Sequence, residues 1–240
     1  MIAAREIRLC VATPTHDGRV HAAHAASVEA IGATCAANGI EYSRVLDGGS
    51  QLARLRCLLV ERARANRATH ILMLDDDIAL PHAGRALDQL LGTMARLDAD
   101  LVSAACMIRP ALGTSASRGL VGVDIHGALA RLRSEPIRWA SSVLTADGQM
   151  LGIAPQADGR PLVPGPGETL LLGTGCLLIR MTAFDRFAPG EAPFQFADGL
   201  GEDHWFSREV QRRGGRAAID PRPATVHYGS TGWIWEGTGT

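Results

Sequence analysis

The strongest constraint on the fold is a regular alternation of short apolar runs and longer helical patterns over residues 1–110. Short runs rich in Ile, Val and Leu are typical of strands, whereas apolar residues repeated every three or four positions are typical of helices. The pattern predicts strands at 7–14, 41–46, 70–74 and 101–105, separated by helices at 20–37, 52–66 and 83–97. Because such strands usually pair in parallel, we expect an α/β fold with a Rossmann-like, mostly parallel central sheet and helices on both faces.

The alternation stops in the second half of the chain. Residues 111–168 are rich in Gly, Pro, Ser and Arg, with a weak strand pattern at 137–144. Regular patterns resume as a long strand, a helix and two short strands, at 169–180, 201–213, 217–220 and 224–227. A chain of 240 residues with 46% hydrophobic residues can form one large core. We therefore expect a single domain, with a nucleotide-binding half at 1–110 and a second half with a small antiparallel sheet at 111–240.

Composition excludes some chemistry and indicates a location. All 24 cationic residues are arginine, so a lysine Schiff base and a lysine-containing phosphate loop are excluded. The formal charge of −1 gives no general attraction to nucleic acid or to an anionic membrane. The five cysteines form no C-x-x-C pair, and no segment has the character of a signal peptide or a membrane span. These features favour a cytoplasmic protein without an integral membrane segment.

Three consecutive carboxylates, Asp75, Asp76 and Asp77, directly follow the apolar strand predicted at 70–74. Open α/β sheets bind their ligands at this carboxyl end of the strands. In an extended chain Asp75 and Asp77 point the same way, so they can share one cation, and oxygen ligands suit Mg²⁺ or Mn²⁺. The alternative is an acidic loop in which Asp77 interacts with the positive start of the next helix. The triplet on its own leaves both interpretations open.

Taken with the segments around it, Asp75-x-Asp77 resembles the D-x-D motif of GT-A glycosyltransferases, in particular the family-2-like bacterial and phage enzymes. The segment at 11–18 resembles the first strand and loop of that family, which cradle the base and ribose. The segment at 49–56 resembles the one whose arginine lies near the nucleotide. The resemblance implies a single GT-A domain, in which residues 1–110 are the nucleotide-sugar-binding half and residues 111–240 the acceptor-side half. Its implied donor contacts include Thr13, Pro14, Thr15, Arg56, Asp75 and Asp76.

Two glycine-containing segments extend the resemblance. Residues 46–50 stand where the family has D-D-G-S, with one aspartate missing, and this segment implies a base contact at Asp47. Gly173-Thr174-Gly175 resembles the strand that passes under the donor sugar, where a missing side chain lets a ligand approach the backbone. The resemblance therefore implies a donor contact at Gly175, although a structural bulge explains the glycines equally well.

The last two motifs imply catalytic and metal-binding residues. Gly201-Glu202-Asp203 resembles the E-D motif that opens the acceptor-side helix, which implies catalytic roles for Glu202 and Asp203, with Asp203 as the general base. His227 resembles the late histidine that completes the metal site in several GT-A families. The implied metal ligands are Asp75, Asp77 and His227, and an imidazole among them favours Mn²⁺ over Mg²⁺.

The resemblance implies a metal-dependent, hexosyltransferase-like enzyme that moves a sugar from a nucleoside-diphosphate sugar to a hydroxyl acceptor. A UDP-sugar donor and inversion at the anomeric carbon are favoured, and the acceptor could be a glycan, a protein or peptide, a small molecule or a modified nucleobase. A sugar-1-phosphate nucleotidyltransferase is the second possibility, although residues 14–19 fit its basic glycine-rich loop poorly. A module that binds sugar nucleotides or glycans without turnover is the third.

Two sets of side chains remain open between a ligand and a structural role. Trp205 lies beside the predicted base and could stack on a sugar or a nucleobase, but core packing explains it equally well. His16, His21 and His24 resemble a ligand cluster, yet histidines at this spacing are usually surface residues. We expect no zinc site there.

Overall fold

The computed structural model describes residues 6–107, 139–153 and 158–228, and the backbone of 233–235. Its strands are β1 Arg8–Thr15, β2 Glu41–Gly48, β3 His70–Leu74, β4 Ile78–Ala79, β5 Leu101–Ala104, β6 Ser142–Leu144, β7 Met150–Gly152, β8 Thr169–Leu171, β9 Cys176–Arg180, β10 Ala217–Asp220, β11 Thr225–His227 and β12 Trp233–Trp235. Its α-helices are α1 Ala22–Asn38, α2 Leu52–Ala65, α3 Ala83–Leu97 and α4 Glu202–Arg212, and a 3₁₀ helix covers Met181–Arg186. Apart from the two-residue β4, the elements up to β5 follow the predicted alternation.

The central sheet has six strands in the order β10-β5-β9-β3-β1-β2. Strands β1, β2 and β3 pair in parallel, as do β5 and β10, whereas β9 runs antiparallel between β3 and β5. Two small antiparallel sheets, β12-β11-β4 and β7-β6-β8, complete the fold. The predicted α/β architecture with a mostly parallel central sheet is confirmed, and strands from both predicted halves of the chain belong to this one sheet.

Helices cover both faces of the central sheet, so its inner strands are apolar on both sides. Along β3, Leu72 and Leu74 pack with α1 and α3, whereas Ile71 and Met73 pack with α2 and α4. Alternate side chains of a strand point to opposite faces, which is why a doubly covered strand is a continuous apolar run. No helix in the described part of the chain is both long and apolar enough to cross a membrane.

The prediction of one long strand at 169–180 is wrong. The chain leaves the β7-β6-β8 sheet after Leu171 and enters the central sheet at Cys176, so two strands of different sheets replace one. Gly173 lies at this crossing, where a Cβ atom would come within 2.8 Å of both the Cβ and the carbonyl oxygen of Ala140. Close packing against Ala140 therefore requires glycine at this position. Of the strand predicted at 137–144, β6 covers only Ser142–Leu144. Residues 139–141 are not part of this strand, and residues 137 and 138 lie outside the described residues.

Strand β4 has no counterpart in the sequence interpretation, because two residues are too short to carry a strand pattern. It pairs antiparallel with β11, with Ile78 opposite His227 and Ala79 opposite Val226. This pairing joins the segment that follows β3 to a strand near the end of the chain. It therefore brings His227 next to the aspartates.

Candidate active site

The aspartate triplet forms a turn at the end of β3. The Ile78 N–H donates to the Asp75 carbonyl at 2.9 Å, and the Asp75 N–H donates to the Gly175 carbonyl at 3.1 Å. The chain is therefore not extended over 75–77, so the alternation of an extended strand does not decide where the side chains of Asp75 and Asp77 point. Their carboxylates have different partners, Arg56 for Asp75 and His227 for Asp77. The turn lies at the carboxyl edge, the end of the central sheet where β1, β2 and β3 terminate.

Arg56 joins three elements at the carboxyl edge. Its side chain is 2% exposed, two of its nitrogens lie 3.1 and 3.0 Å from Oδ1 of Asp75, and its Nε donates to Oε1 of Glu202 at 3.1 Å. Burial alone would lower the pKa of Arg56, but the charges of Asp75, Glu202 and Asp203 outweigh burial and raise it. The structure thus places the arginine predicted near the nucleotide between two carboxylates, where it ties α2 and α4 to the end of β3.

The first turn of α4 carries the predicted catalytic acids. Glu202 is 5% exposed and is held by Arg56. Asp203 is half-buried, and its Oδ1 accepts a hydrogen bond from the His204 N–H at 2.7 Å. A helix N-terminus stabilises negative charge in its first turn. Glu202 therefore anchors the helix, and Asp203 is the more accessible of the two carboxylates.

Asp77 and His227 form the pair that the late histidine motif predicts. Nε2 of His227 lies 3.2 Å from Oδ2 of Asp77, and Nδ1 lies 2.9 Å from the Met107 carbonyl oxygen. Because a carbonyl only accepts, Nδ1 carries a proton, and Nε2 is the nitrogen that faces the carboxylate. A backbone carbonyl that orients the second ring nitrogen is the usual arrangement of a metal-binding histidine.

The spacing of this pair is that of a hydrogen bond, and it also suits a divalent cation. Neighbouring ligands of an octahedral ion with bonds of about 2.1 Å lie about 3.0 Å apart, close to the 3.2 Å between Asp77 and His227. Within the described residues, no three His, Cys, Asp or Glu side chains are grouped so as to hold a metal ion. The structure thus brings together two of the three predicted ligands, while Asp75 is engaged by Arg56.

Asp76, the middle residue of the triplet, is less ready to ionise than an ordinary aspartate. Partial burial is the largest cause of its raised pKa, and the neighbouring charges of Asp77, Asp75 and Asp17 add to the effect. Repulsion between the carboxylates thus contributes to the raised pKa of Asp76, after burial. A cation bound near the turn would relieve this repulsion.

The residues predicted to contact the nucleoside lie on the neighbouring strands β1 and β2. Pro14 is paired with Asp47 in the strand register, next to Thr15 paired with Gly48. Asp47 forms an ion pair with Arg62 at 2.8 Å. Thr13 is buried, and its hydroxyl lies 3.1 Å from Nε2 of His24. These side chains share the carboxyl edge with the aspartate turn.

Gly175, the last predicted donor contact, differs from Gly173. A Cβ atom at Gly175 would lie 3.5 Å from Cγ1 of Ile78, which is ordinary van der Waals contact. Packing within the protein therefore explains Gly173, whereas it does not require glycine at 175. Gly175 touches the site directly because its carbonyl accepts from the Asp75 N–H.

Trp205 and the histidines near the start of the chain, whose roles the sequence leaves open, have different environments in the structure. Trp205 is 7% exposed, and its ring centroid lies 6.2 Å from that of Phe187, so it belongs to the core. His24 is buried and lies 3.0 Å from the Ile78 carbonyl through Nδ1. His21 stacks on Tyr228, the residue after His227. The sequence interpretation gives no role to Tyr228. Its position directly after His227 is the sequence feature that could have indicated one.

The sequence matches no model of a known protein family, and no curated protein resembles it at a significant level. Among solved structures, the crystal structure of A197 from STIV is similar, with a TM-score of 0.52 and 13% sequence identity. The match covers 93% of this chain and 87% of that one. The likeness shows the fold. It extends over nearly the whole chain, so both the first and the second half of the chain share the α/β architecture of that structure.

Proposed function

We propose that this chain is a metal-dependent glycosyltransferase of the GT-A type, which moves a sugar from a nucleoside-diphosphate sugar, preferably a UDP-sugar, to a hydroxyl acceptor. The observation that carries the proposal is the Asp77–His227 pair at 3.2 Å, at the carboxyl end of the central sheet. Ligands of open α/β sheets bind at that end. The imidazole is oriented by the Met107 carbonyl in the manner of a metal ligand.

Asp77 and His227 would hold a divalent cation, with the diphosphate of the donor supplying further oxygen ligands. The mixed oxygen and nitrogen set favours Mn²⁺ over Mg²⁺. When bound, the cation would act as a Lewis acid on the leaving diphosphate. Asp75, whose carboxylate contacts Arg56, keeps the turn attached to α2.

Asp203 is the proposed general base, which would accept the proton of the attacking hydroxyl. It is half-buried at the start of α4, whereas Glu202 is buried and occupied by Arg56. A base on the acceptor side corresponds to inversion at the anomeric carbon. Thr13, Pro14, Thr15 and Asp47 are the proposed contacts of the nucleoside, since they line the ends of two adjacent strands.

The proposal is tested by thermal unfolding in the presence of UDP, GDP and their sugars, with and without Mn²⁺. A ligand that binds the native state at 100 times its Kd adds about 2.7 kcal/mol, which raises Tm by about 5–10 °C for a chain of this size. We expect one nucleotide to raise Tm with Mn²⁺, and we expect chelation to remove the effect.

Two variants make the test specific to the pair. Asp77→Asn should lose the Mn²⁺-dependent rise in Tm, whereas Asp88→Asn, at an exposed aspartate of α3, should keep it. A full Mn²⁺-dependent rise in Asp77→Asn would contradict the assignment of the metal site. A wild-type protein that responds to no nucleotide with Mn²⁺ would contradict the proposed function as a whole.

A further inference from the structure

Two aromatic rings from distant parts of the chain stack beside the aspartate turn. The ring centroids of His21 and Tyr228 are 3.8 Å apart, and their planes differ by 17°. His21 is the residue before α1, and Tyr228 follows β11 directly. The stack therefore connects the start of a helix near the beginning of the chain to the strand that carries His227.

The same two residues also hold the turn through their backbones. The His21 N–H donates to the Asp76 carbonyl at 3.0 Å, and the Tyr228 N–H donates to the Asp77 carbonyl at 2.7 Å. Consecutive carbonyls of the turn thus have donors from two different elements. Since each ring belongs to a residue that binds the turn, separating the rings would free both donors to move.

We propose that His21 and Tyr228 are positioning residues, whose stacked rings fix the turn of Asp75–Asp77 and thereby set the distance between Asp77 and His227. Tyr228 is bonded to His227, so a shift of Tyr228 changes where the imidazole lies. The part of this inference that concerns a metal ion rests on the proposed function. The part that concerns the geometry of the turn does not.

The chain offers variants that separate the stack from the other roles of these residues. His21 also caps α1, because its Nδ1 accepts from the Ala23 N–H at 3.2 Å. His21→Asn removes the ring but keeps a good capping side chain. Tyr228→Ala removes the other ring, whereas Tyr228→Phe keeps it and serves as the matched control.

The first measurement is amide hydrogen exchange of the unliganded protein, resolved by residue. In His21→Asn and Tyr228→Ala, the amides of Ile78 and residue 228 should exchange up to about tenfold faster, the size expected for one aromatic pair. The Ala99 amide, which bonds to Met94 at the end of α3, should not change in any variant. Unchanged exchange at Ile78 and residue 228 in both variants would overturn the proposal.

The second measurement is the Mn²⁺ concentration that gives half of the nucleotide-dependent rise in Tm. We expect it to increase up to about tenfold in both ring-removing variants, to stay within about twofold in Tyr228→Phe, and to rise no further in the double variant. Faster exchange with an unchanged Mn²⁺ requirement would show that the stack does not set the metal site. If the wild type shows no Mn²⁺-dependent binding, the proposed function fails, and the exchange data alone decide whether the stack fixes the turn.

Discussion

The guanidinium of Arg56 lies inside the protein between carboxylates from two other elements. A buried ion pair often adds little to stability compared with apolar residues, but removal of one partner leaves an uncompensated charge. Arg56 is the shared partner of Asp75 and Glu202, so its removal would leave two carboxylates uncompensated. Its loss would therefore affect the folded state and the geometry of the carboxyl edge together.

Arg56→Met should lower the free energy of unfolding by about 3 kcal/mol, the low end for a broken buried pair, because the side chain of Asp75 is still 31% exposed. Urea unfolding measures this loss. The control is Arg54→Met, at an exposed position of the same helix, which should change the free energy by less than about 0.5 kcal/mol. Equal effects of the two changes would contradict the role of Arg56.

His70, at the other end of β3, makes stability depend on pH. Burial, with a smaller contribution from the charge of Arg180, lowers its pKa to about 4. As pH falls from about 6.5, the unfolded chain binds a proton before the native protein does. The contribution of His70 to the free energy of unfolding is therefore fully present above about pH 6.5. It is lost as pH falls toward 4, by up to about 3 kcal/mol.

His70→Gln should consequently show a weaker fall in unfolding free energy between pH 6.5 and 4 than the wild type. The exposed His82 provides the control, and His82→Gln should follow the wild-type curve. Urea unfolding at several pH values measures both curves. The same slope in His70→Gln and the wild type would show that this histidine does not titrate with an altered pKa.

The residues of the carboxyl edge could be identified from the sequence because each follows or precedes a recognisable element. Asp75 and Asp77 follow a strand, and Asp203 lies in the first turn of a helix. The resemblance implied that Asp77 and His227 lie together, but the pairing of Arg56 with Asp75 and Glu202 could not be predicted. Asp75 and Asp77 lie in a turn that starts directly after the strand, and they have different partners. The burial of Arg56 depends on Glu202, which is distant along the chain.

At the level of elements, the connection from β8 to β9 shows that sequence periodicity does not predict where a chain passes from one sheet to another. Both strands are apolar, so the sequence pattern reads as one strand with two glycines. The change of sheet depends on the contact between Gly173 and Ala140, a tertiary contact that no local pattern contains. Elements with an uninterrupted pattern, such as β3 and α3, have the predicted bounds.

Gly173→Ala should lower the free energy of unfolding by about 1–3 kcal/mol, as overpacking usually does, because the added Cβ would lie 2.8 Å from the Ala140 carbonyl oxygen. Gly175→Ala is the matched change. Its Cβ would meet Ile78 at 3.5 Å, so we expect less than about 1 kcal/mol. Thermal and urea unfolding of both variants test the difference, and the reverse order would contradict the packing argument.

At the level of the whole molecule, the central sheet depends on a strand from the second half of the chain. Strand β9 lies between β3 and β5 and bonds to both. Without β9, these two apolar strands would each lack a neighbour in the middle of the sheet. The two halves of the chain on either side of residue 110 therefore share one core and do not form two independent ones.

A fragment that ends at residue 110 should not unfold cooperatively. It would contain β1, β2, β3 and β5 but neither β9 nor β10, so polar backbone groups in the interior would lose their partners. Calorimetry and near-UV circular dichroism of the fragment, compared with the full chain, measure this. A fragment with a sharp unfolding transition would show that the first half folds on its own.

The late position of β9 also matters while the protein is being made. Strand β5 ends at Ala104 and β9 begins at Cys176, so at about 5–20 residues per second the ribosome takes on the order of several seconds to deliver the missing strand. During that interval β3 and β5 lack the neighbour to which each of them bonds in the finished sheet. We therefore expect the central sheet to be completed only after β9 and β10 have left the ribosome.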